Sequence, residues 1–266
     1  MILFPYEVAN HRISFPFICI LLIIFNSVVY FFTTIDGNQV KIFNEYGLVP
    51  NDLSIITFFT SMFLHGDFMH LLGNMFILWM YGDNVEDIVG PMKFIVIYLL
   101  LGLISAFVYF CFNYKSNIPC IGASGAISGL LGIYWVLFPD VRIEVYFGRH
   151  YSKTFNAKVG LMFWLGEQLF FTVIAQAFGS FGVAFMAHSA GFIGGIAIGY
   201  YIKNNKNIYA KYHNKIKEML KRRNGVRCPS CSFFYRKVKN GICNCKKCES
   251  RFQIKGYETI LLSPKK

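Results

Sequence analysis

Four polar side chains interrupt otherwise apolar stretches of this sequence, and their types could do chemistry together. They are His70 and Asn74 in one stretch, Ser124 at the start of another, and His188 in a third. A serine hydroxyl becomes a nucleophile when a base removes its proton, and histidine is the usual base. An amide such as that of Asn74, four residues after His70 on the same helix face, can donate to an oxyanion. The set therefore points to nucleophilic acyl transfer.

Small residues around Ser124 and His188 indicate how the two could meet. They recur at every fourth position, as Ser124, Ser128 and Gly132 in CIGASGAISGLLG and as Gly191, Gly195 and Gly199 in AHSAGFIGGIAIG. Such stripes allow two helices in a membrane to pack with their backbones in close contact. Since no carboxylate lies beside His188 in the sequence, a Ser–His dyad without an acid is the simpler assignment.

Each of these residues also has a purely structural interpretation. A membrane serine often bonds back to a carbonyl of its own helix, and His70 and Asn74 could simply join helices. His65 is interpreted as an interfacial residue at the outer surface. Glu167, near the middle of another apolar stretch, stays without an assigned role, although an acid at membrane depth is a functional candidate by default.

The composition requires a membrane to hold these elements. Hydrophobic residues make up 55% of the 266 positions and charged residues only 15%, which is typical of a polytopic membrane protein. The apolar runs predict six spans, at residues 15–34, 66–81, 94–112, 120–138, 159–178 and 182–202. The second and fourth are short, so they can lie inside a ring of longer helices. The long segment 35–65 is predicted to be an outer loop that dips into the interface.

The placement of Lys and Arg predicts the orientation. With the N-terminus inside, 24 of the 26 cations fall on the inner side, and Lys41 and Lys115 are the two on the outer side. Positive charge favours the cytoplasmic side, so both termini are expected there, in the plasma membrane of a bacterium. Residues 203–266 hold 18 of these cations and 3 acidic residues. This basic tail suits retention in the cytoplasm and contact with anionic lipid, and no nucleic-acid partner is expected.

The tail also carries a metal-ligand pattern. RCPSC and CNCKKC place two Cys-x2-Cys pairs thirteen residues apart, namely Cys228, Cys231, Cys245 and Cys248. Two such pairs are typical of a four-cysteine zinc ribbon, in which thiolates bind a structural Zn²⁺. Asn240-Gly241 is predicted to be a hairpin turn between the pairs. Cys243 could compete as a ligand, and the purpose of the module stays open between a cytoplasmic partner, lipid and an adaptor.

Three sequence blocks carry a resemblance to a known family. GASGAISG around Ser124, HGDFMHLLGNM at 65–75 and AHSAGFIGG at 187–195 resemble the signature blocks of rhomboid intramembrane serine proteases. YGDNVEDIVG resembles the G-x-x-x-E-x-x-x-G turn of the family, and its residues are Gly82, Glu86 and Gly90. The resemblance covers about residues 15–202. It departs from the family's pattern in lacking a Trp-Arg pair in the first outer loop and in having a single glycine, Gly191, soon after His188.

The resemblance implies a six-helix rhomboid-like bundle, an all-α polytopic membrane protein, to which the cysteine pattern adds a small cytoplasmic β module. The expected domains are a protease domain at 1–202, a basic linker at 203–225, and a zinc-ribbon-like module and tail at 226–266. The resemblance implies Ser124 as nucleophile, His188 as general base, and His70 with Asn74 as oxyanion donors, with no cofactor for catalysis. It implies as substrate a transmembrane helix that enters sideways from the bilayer and is cut near its outer end.

Two other functions stay open from the sequence. A rhomboid-like protein without activity would bind membrane helices without cutting them, although the intact Ser124 and His188 argue against it. A six-span transporter or channel would show paired charges or broken helices along a path, and apart from Glu167 the sequence has little of that.

Overall fold

The computed structural model of the chain describes residues 4–8, 13–35, 37–139, 141–146, 152–178, 183–222, 225–231, 233–236, 239–255 and 258–263. Arg12 and Arg149, which entered the charge comparison, and residue 182, the predicted start of the sixth span, lie outside these residues. The chain divides into two compact units. The helical unit comprises Pro16–Leu137 and Leu161–Ile202, and the second unit comprises Met1–Phe15, Phe138–Gly160 and Lys203–Lys266.

Helices account for most of the helical unit, as the sequence predicts. They are α1 (Phe17–Ile35), α2 (Gln39–Tyr46), α3 (Thr57–Thr60), α4 (Phe68–Ile77), α5 (Asp83–Val89), α6 (Pro91–Phe112), α7 (Ser124–Leu137), α8 (Ala157–Phe178) and α9 (Val183–Asn204). A wider helical turn at Leu78–Gly82 joins α4 to α5, so the second predicted span continues to Val89 instead of ending at 81. Among the described residues, Phe17–Ile35, Pro91–Phe112 and Phe185–Asn204 are long and apolar enough to cross a membrane.

Helix α7 forms the centre of the helical unit. Twelve of its fourteen residues are buried, and it contacts α4, α5 and, most extensively, α6. At 1.5 Å per residue the helix is about 21 Å long, shorter than the roughly 30 Å of hydrocarbon. It can therefore begin below the membrane surface, because neighbouring helices and not lipid surround it. By contrast, α1 exposes Phe17, Phe31 and Phe32 by 61%, 59% and 65%, as a lipid-facing helix does.

The predicted G-x-x-x-E-x-x-x-G turn is mostly helical. Gly82 ends the wider turn, Glu86 lies within α5, and only Gly90 forms the connection to α6. Gly90 adopts φ +82°, which a side chain would disfavour, and Pro91 then opens α6 without needing an N–H. The buried carboxylate of Glu86 accepts from the N–H groups of Ile18 and Cys19, at 3.0 and 2.8 Å, in the first turn of α1.

The segment before α4, which was predicted to be an outer loop, is hydrogen-bonded to the loop that leads into α7. Leu48 and Cys120 exchange two backbone hydrogen bonds of 3.1 and 2.9 Å, and the N–H of Asn51 donates to the carbonyl of Ser116. Ile55 in the same segment is 81% exposed, consistent with the predicted contact with the membrane interface.

The second unit contains strands that apolar runs do not reveal. Three of them, β1 (Phe4–Val8), β2 (Arg142–Tyr146) and β3 (Ser152–Asn156), form an antiparallel sheet in the order β1-β2-β3. Tyr6 pairs with Glu144, and Glu144 pairs with Thr154. A search for spans misses β2 because RIEVY alternates apolar and polar residues with a period of two.

The tail begins with helix α10 (Lys206–Arg222) and continues with short strands. They are β4 (Gly225–Arg227), β5 (Phe234–Arg236), β6 (Gly241–Asn244), β7 (Arg251–Lys255) and β8 (Glu258–Ser263). Strand β4 pairs with β5, and β6 pairs with β7, so each Cys-x2-Cys pair lies in the turn of a hairpin. The predicted turn at Asn240-Gly241 is wrong, because Gly241 opens β6 and pairs with Ile254.

Candidate active site

Ser124 and His188 are in direct hydrogen-bond contact. Oγ of Ser124, the first residue of α7, lies 2.8 Å from Nε2 of His188 on α9. The distance suits a serine hydroxyl that donates to a neutral imidazole, the arrangement from which a general base removes the proton. The structure therefore brings together two residues that are 64 positions apart in the sequence.

Glycines explain why α7 and α9 approach so closely. A methyl group on Gly191 would overlap the carbonyl oxygen of Gly125, and one on Gly195 would overlap that of Gly129. In the opposite direction, a methyl group on Gly132 would overlap the carbonyl of Phe192. The backbones of α7 and α9 are therefore in direct contact along the two small-residue stripes. The sequence predicted that the two helices would meet at these stripes.

His70 and Asn74 both lie on α4, and the loop residue Gly122 lies between His70 and Ser124. Gly122 adopts φ +121°, and a Cβ there would lie 2.9 Å from Nε2 of His70 and 3.6 Å from Oγ of Ser124. Asn74 is buried, and its Nδ2 has no hydrogen-bond partner among the described residues. The first N–H groups of α7, starting at Ser124, are donors that an α-helix leaves unpaired.

His65 lies deeper than the sequence suggested. The prediction of an interfacial residue is wrong, because His65 is completely buried and packs edge-on against His70 with ring centroids 5.1 Å apart. Its position just before α4 turns it inward, although the surrounding sequence gives no sign of this.

A small cavity adjoins the reactive pair. Its volume is about 30 Å³, and its polar lining comes from Ser61, Ser105, Ser124 and His188. A water molecule needs roughly 10–15 Å³ of such space and two or more polar partners, so the cavity can hold water beside Oγ. Ser105 also donates to the carbonyl of Ala187, at 2.9 Å, and so ties α6 to the residue that precedes His188.

Gln168, which follows Glu167 in the same apolar stretch, is a residue of the site to which the sequence assigned no role. Its Oε1 lies 2.8 Å from Nδ1 of His188, and the side chain is only 7% exposed. Glu167, the neighbouring acid that the sequence left unassigned, is exposed on α8. The signal that could have identified Gln168 is a polar side chain in an apolar helix. The formal charge of the neighbouring Glu167 made that residue the more obvious candidate.

A second cluster of reactive groups lies in the tail. The Sγ atoms of Cys228, Cys231, Cys245 and Cys248 all lie within 4.8 Å of one another, and all four residues are buried. Four cysteines so placed could bind a metal ion. The hydrogen bond between the thiols of Cys231 and Cys228 lowers the pKa of Cys228 and raises the pKa of Cys231, so Cys228 is the first of the pair to form the thiolate that a metal requires.

Surrounding groups support the sulfur atoms of this cluster. The hydroxyl of Tyr235 donates to Sγ of Cys245 at 3.2 Å, and the N–H of Lys247 donates to the same atom at 3.4 Å. Ser250 Oγ lies 2.9 Å from Sγ of Cys248. Cys243 packs against the cluster from β6 but does not belong to the group of four.

Comparisons with known proteins identify the family of the chain and several relatives. The Rhomboid domain family matches residues 52–205 of the chain. The bovine presenilin-associated rhomboid-like protein, mitochondrial, is 35% identical over 89 residues, which are 33% of this chain and 24% of the relative. The mitochondrial rhomboid protein 1 of Saccharomyces cerevisiae is 27% identical over 168 residues, 61% and 46% of the two chains. The rhomboid protease GluP of Bacillus subtilis is 41% identical over 73 residues, 27% and 14%. Each match thus spans less than half of the relative's length.

Proposed function

The chain belongs to the rhomboid family and is a multi-pass membrane protein, and we propose that it is an intramembrane serine endopeptidase. Its substrates are transmembrane helices, which it cuts near the outer membrane face through Ser124 and His188. The observation that carries the proposal is the 2.8 Å separation between Oγ of Ser124 and Nε2 of His188. The GluP relative, named a protease, supports it at the level of the family.

In the proposed reaction, Oγ of Ser124 attacks the scissile carbonyl while Nε2 of His188 takes its proton. The negative charge that develops on the carbonyl oxygen is stabilised by the N–H of Ser124 and by the side chains of Asn74 and His70. His188 then gives the proton to the leaving amine, and an acyl-enzyme on Ser124 remains. The unpartnered Nδ2 of Asn74 suits this role, because it has a hydrogen-bond donor to offer.

Hydrolysis of the acyl-enzyme needs water in a site surrounded by apolar residues. The cavity beside Ser124 and His188 has room for such a molecule. His188 would remove a proton from this water, whose oxygen attacks the ester carbonyl. As the bond between the carbonyl carbon and Oγ breaks, His188 returns the proton to Oγ, which frees Ser124 and the new carboxyl end of the product. An extended substrate segment would reach Oγ from the membrane, because α7 is short enough to begin below the membrane surface.

We further propose that both termini lie in the cytoplasm, in the plasma membrane of a bacterium. The support is the charge asymmetry, which places 24 of the 26 cations on one side. Two of the relatives above are mitochondrial proteins, so a mitochondrial membrane is the alternative location. Protease accessibility of the tail in sealed vesicles of known orientation tests the assignment.

The experiment that tests the activity compares the wild type with Ser124→Ala and Ser128→Ala in liposomes. Ser128 is the matched control, because its hydroxyl bonds back to the carbonyl of Ser124 within α7. We expect the wild type and Ser128→Ala to cut a reporter transmembrane helix and to react with a fluorophosphonate, and Ser124→Ala to do neither.

If the folded wild type neither cuts nor reacts with the fluorophosphonate, the protease proposal fails. The alternative, a rhomboid-like protein without activity that binds membrane helices, then takes its place. Retained cutting by Ser124→Ala would also contradict the proposal, because it would place the nucleophile elsewhere.

For the tail we propose a structural Zn²⁺ bound by Cys228, Cys231, Cys245 and Cys248. Zn–S bonds of about 2.3 Å in a tetrahedron set S···S separations near 3.8 Å, and two pairs here are 3.6 and 3.4 Å apart. Metal analysis of the purified protein should give about one zinc per chain, and Cys228→Ser with Cys231→Ser should lose it. An equal zinc content in that double variant would rule the site out.

A further inference from the structure

We infer that Gln168 is a positioning residue that fixes the tautomer and the orientation of His188, an inference that rests on the proposed function. The carboxamide oxygen of Gln168 lies 2.8 Å from Nδ1 of His188, on the side of the ring opposite to Ser124. Gln168 is more than nine-tenths buried in an apolar helix. A buried polar group is costly unless it makes a hydrogen bond, so this contact has to be satisfied in the folded state.

The chemistry depends on which ring nitrogen carries the hydrogen. A carbonyl oxygen can only accept, so Nδ1 donates to Gln168 and Nε2 keeps a lone pair that faces Oγ of Ser124. In the other tautomer Nε2 would carry the hydrogen and could not take a proton from serine. Gln168 therefore selects the tautomer that can act as a base, the task that a buried carboxylate performs in Ser-His-Asp triads.

A carboxamide suits this position better than a carboxylate does. Gln168 lies on α8 within the helical unit, where a permanent charge would carry a large desolvation cost. The amide oxygen accepts from Nδ1 both before and after His188 takes up a proton. The bond therefore persists through the reaction without a buried charge in the resting state.

The same helix holds His188 at a second point. Trp164 lies four residues before Gln168, on the same face of α8, and its indole lies over the imidazole at 6.4 Å between ring centroids and a 30° interplanar angle. The indole also packs against Phe192, at 5.7 Å. Rotation of the imidazole is thus opposed by a ring on its face and by a hydrogen bond at its edge. Among the described residues of α4, His70 is the titratable group that faces the site. The ring of His65 packs against that of His70.

The test uses three variants in the full chain. Gln168→Met keeps the volume but removes the acceptor, Gln168→Glu keeps an acceptor and adds charge, and Glu167→Gln is an exposed neighbour that serves as control. The rate of fluorophosphonate labelling of Ser124 is measured against pH, and thermal unfolding reports whether each variant is folded.

We expect Gln168→Met to label about 10²-fold more slowly, at the lower end of what general-base catalysis contributes. Gln168→Glu should label, but the acidic limb of its pH profile should move to higher pH, because a carboxylate stabilises the protonated imidazole. Glu167→Gln should match the wild type in rate and in profile. A residue that only fills space would change neither the rate in Gln168→Met nor the profile in Gln168→Glu.

A second readout does not depend on activity. The ¹⁵N shifts of histidine distinguish the two neutral tautomers, and the His188 signals can be assigned with His188→Asn. We expect the wild type to hold its hydrogen on Nδ1 and Gln168→Met to lose this preference. If labelling in the wild type fails while the tautomer result holds, the proposed function fails and the positioning role stands. If the wild type labels but both Gln168 variants keep its rate, pH profile and tautomer, the inference is overturned.

Discussion

At the scale of single residues, the site separates groups that react from groups that prepare them. Ser124 and His188 can exchange a proton directly, whereas Asn74 has a buried donor directed at no partner among the described residues. A donor held unpaired at this depth costs stability, since a buried N–H without a partner loses its hydration. Such a cost is understandable where the donor is needed only in the transition state, because it then stabilises charge that the resting enzyme lacks.

The role of Asn74 gives the first prediction. Asn74→Ala should lower kcat for cleavage by about 10²- to 10³-fold, because removal of one oxyanion donor typically has this effect. KM should change little, since the donor acts on charge that develops in the transition state. Steady-state cleavage of a reporter helix in liposomes measures both constants.

Asn26→Ala is the control for this prediction. Asn26 is also a buried asparagine of a membrane helix, but its Nδ2 donates to the carbonyl of Leu22 within α1. Its replacement should leave kcat near the wild-type value. Equal losses in Asn74→Ala and Asn26→Ala would mean that the loss reflects weakened packing and not a missing oxyanion donor.

At the scale of elements, the contact between α7 and α9 determines whether Ser124 and His188 meet. Gly194 and Gly195 are adjacent in the sequence, but only Gly195 lies against backbone, at Gly129. A Cβ on Gly194 would meet side-chain atoms of Ile104 and Leu101 at 3.5–3.6 Å, an ordinary contact distance. The two glycines therefore form a natural pair for substitution.

Gly195→Ala should increase the distance between α7 and α9, because the new methyl group would overlap the Gly129 carbonyl. Misplacement of reacting groups by about 1 Å can cost about 10²-fold in rate, and we expect a loss of that order in fluorophosphonate labelling. Gly194→Ala should label at nearly the wild-type rate. Similar labelling by the two variants would show that this helix contact does not control the distance between Oγ and Nε2.

The carboxylate of Glu86 has a different task at this scale, because it holds α1 to α5. Glu86→Gln replaces an acceptor pair with a group that has only one acceptor, so one of the N–H groups of Ile18 and Cys19 loses its partner. We expect a loss of about 1–3 kcal/mol in stability, the usual cost of a buried donor left unpaired. Thermal unfolding in detergent measures it.

Glu45→Gln supplies the comparison for Glu86→Gln. Glu45 is an exposed acid on α2, and its replacement should shift the unfolding temperature little. An unfolding temperature for Glu86→Gln that equals that of Glu45→Gln would mean that the bonds to Ile18 and Cys19 contribute nothing to stability.

The sequence predicted elements wherever a local pattern determines them. Apolar runs located the helices of the bundle, and the Cys-x2-Cys spacing located the four-cysteine cluster, because both depend on neighbouring residues in the chain. Gln168 and the burial of His65 could not be predicted in this way. They depend on how α8 and α4 are rotated about their axes, which packing between distant segments determines. Strand β2 was missed although RIEVY has a local period-two pattern, because a five-residue strand that pairs with the distant segments 4–8 and 152–156 forms no long apolar run.

At the scale of the whole molecule, the reactive residues and the cysteine cluster belong to different compact units. Asn74, Ser124, Gln168 and His188 all lie within Pro16–Leu137 and Leu161–Ile202, and the four cysteines lie within Lys203–Lys266. The tail has its own small core, in which Val226 and Phe252 are completely buried next to the cysteines. Because so little apolar surface is available to a core of this size, we expect the tail to need a bound metal to stay folded.

This division predicts that the two units can be perturbed separately. Removal of residues 226–266 should leave the cleavage rate of a reporter helix within about twofold of the full chain, because the truncation moves no reacting group. A twofold change corresponds to less than about 0.4 kcal/mol in the activation free energy.

Conversely, a strong zinc chelator should make the tail sensitive to trypsin while fluorophosphonate labelling of Ser124 persists. Gel-based labelling and mass spectrometry of the tryptic fragments measure both effects in one sample. Loss of labelling in a truncated chain that still inserts and unfolds at the wild-type temperature would contradict this division, because it would make the zinc-ribbon-like module part of the enzyme.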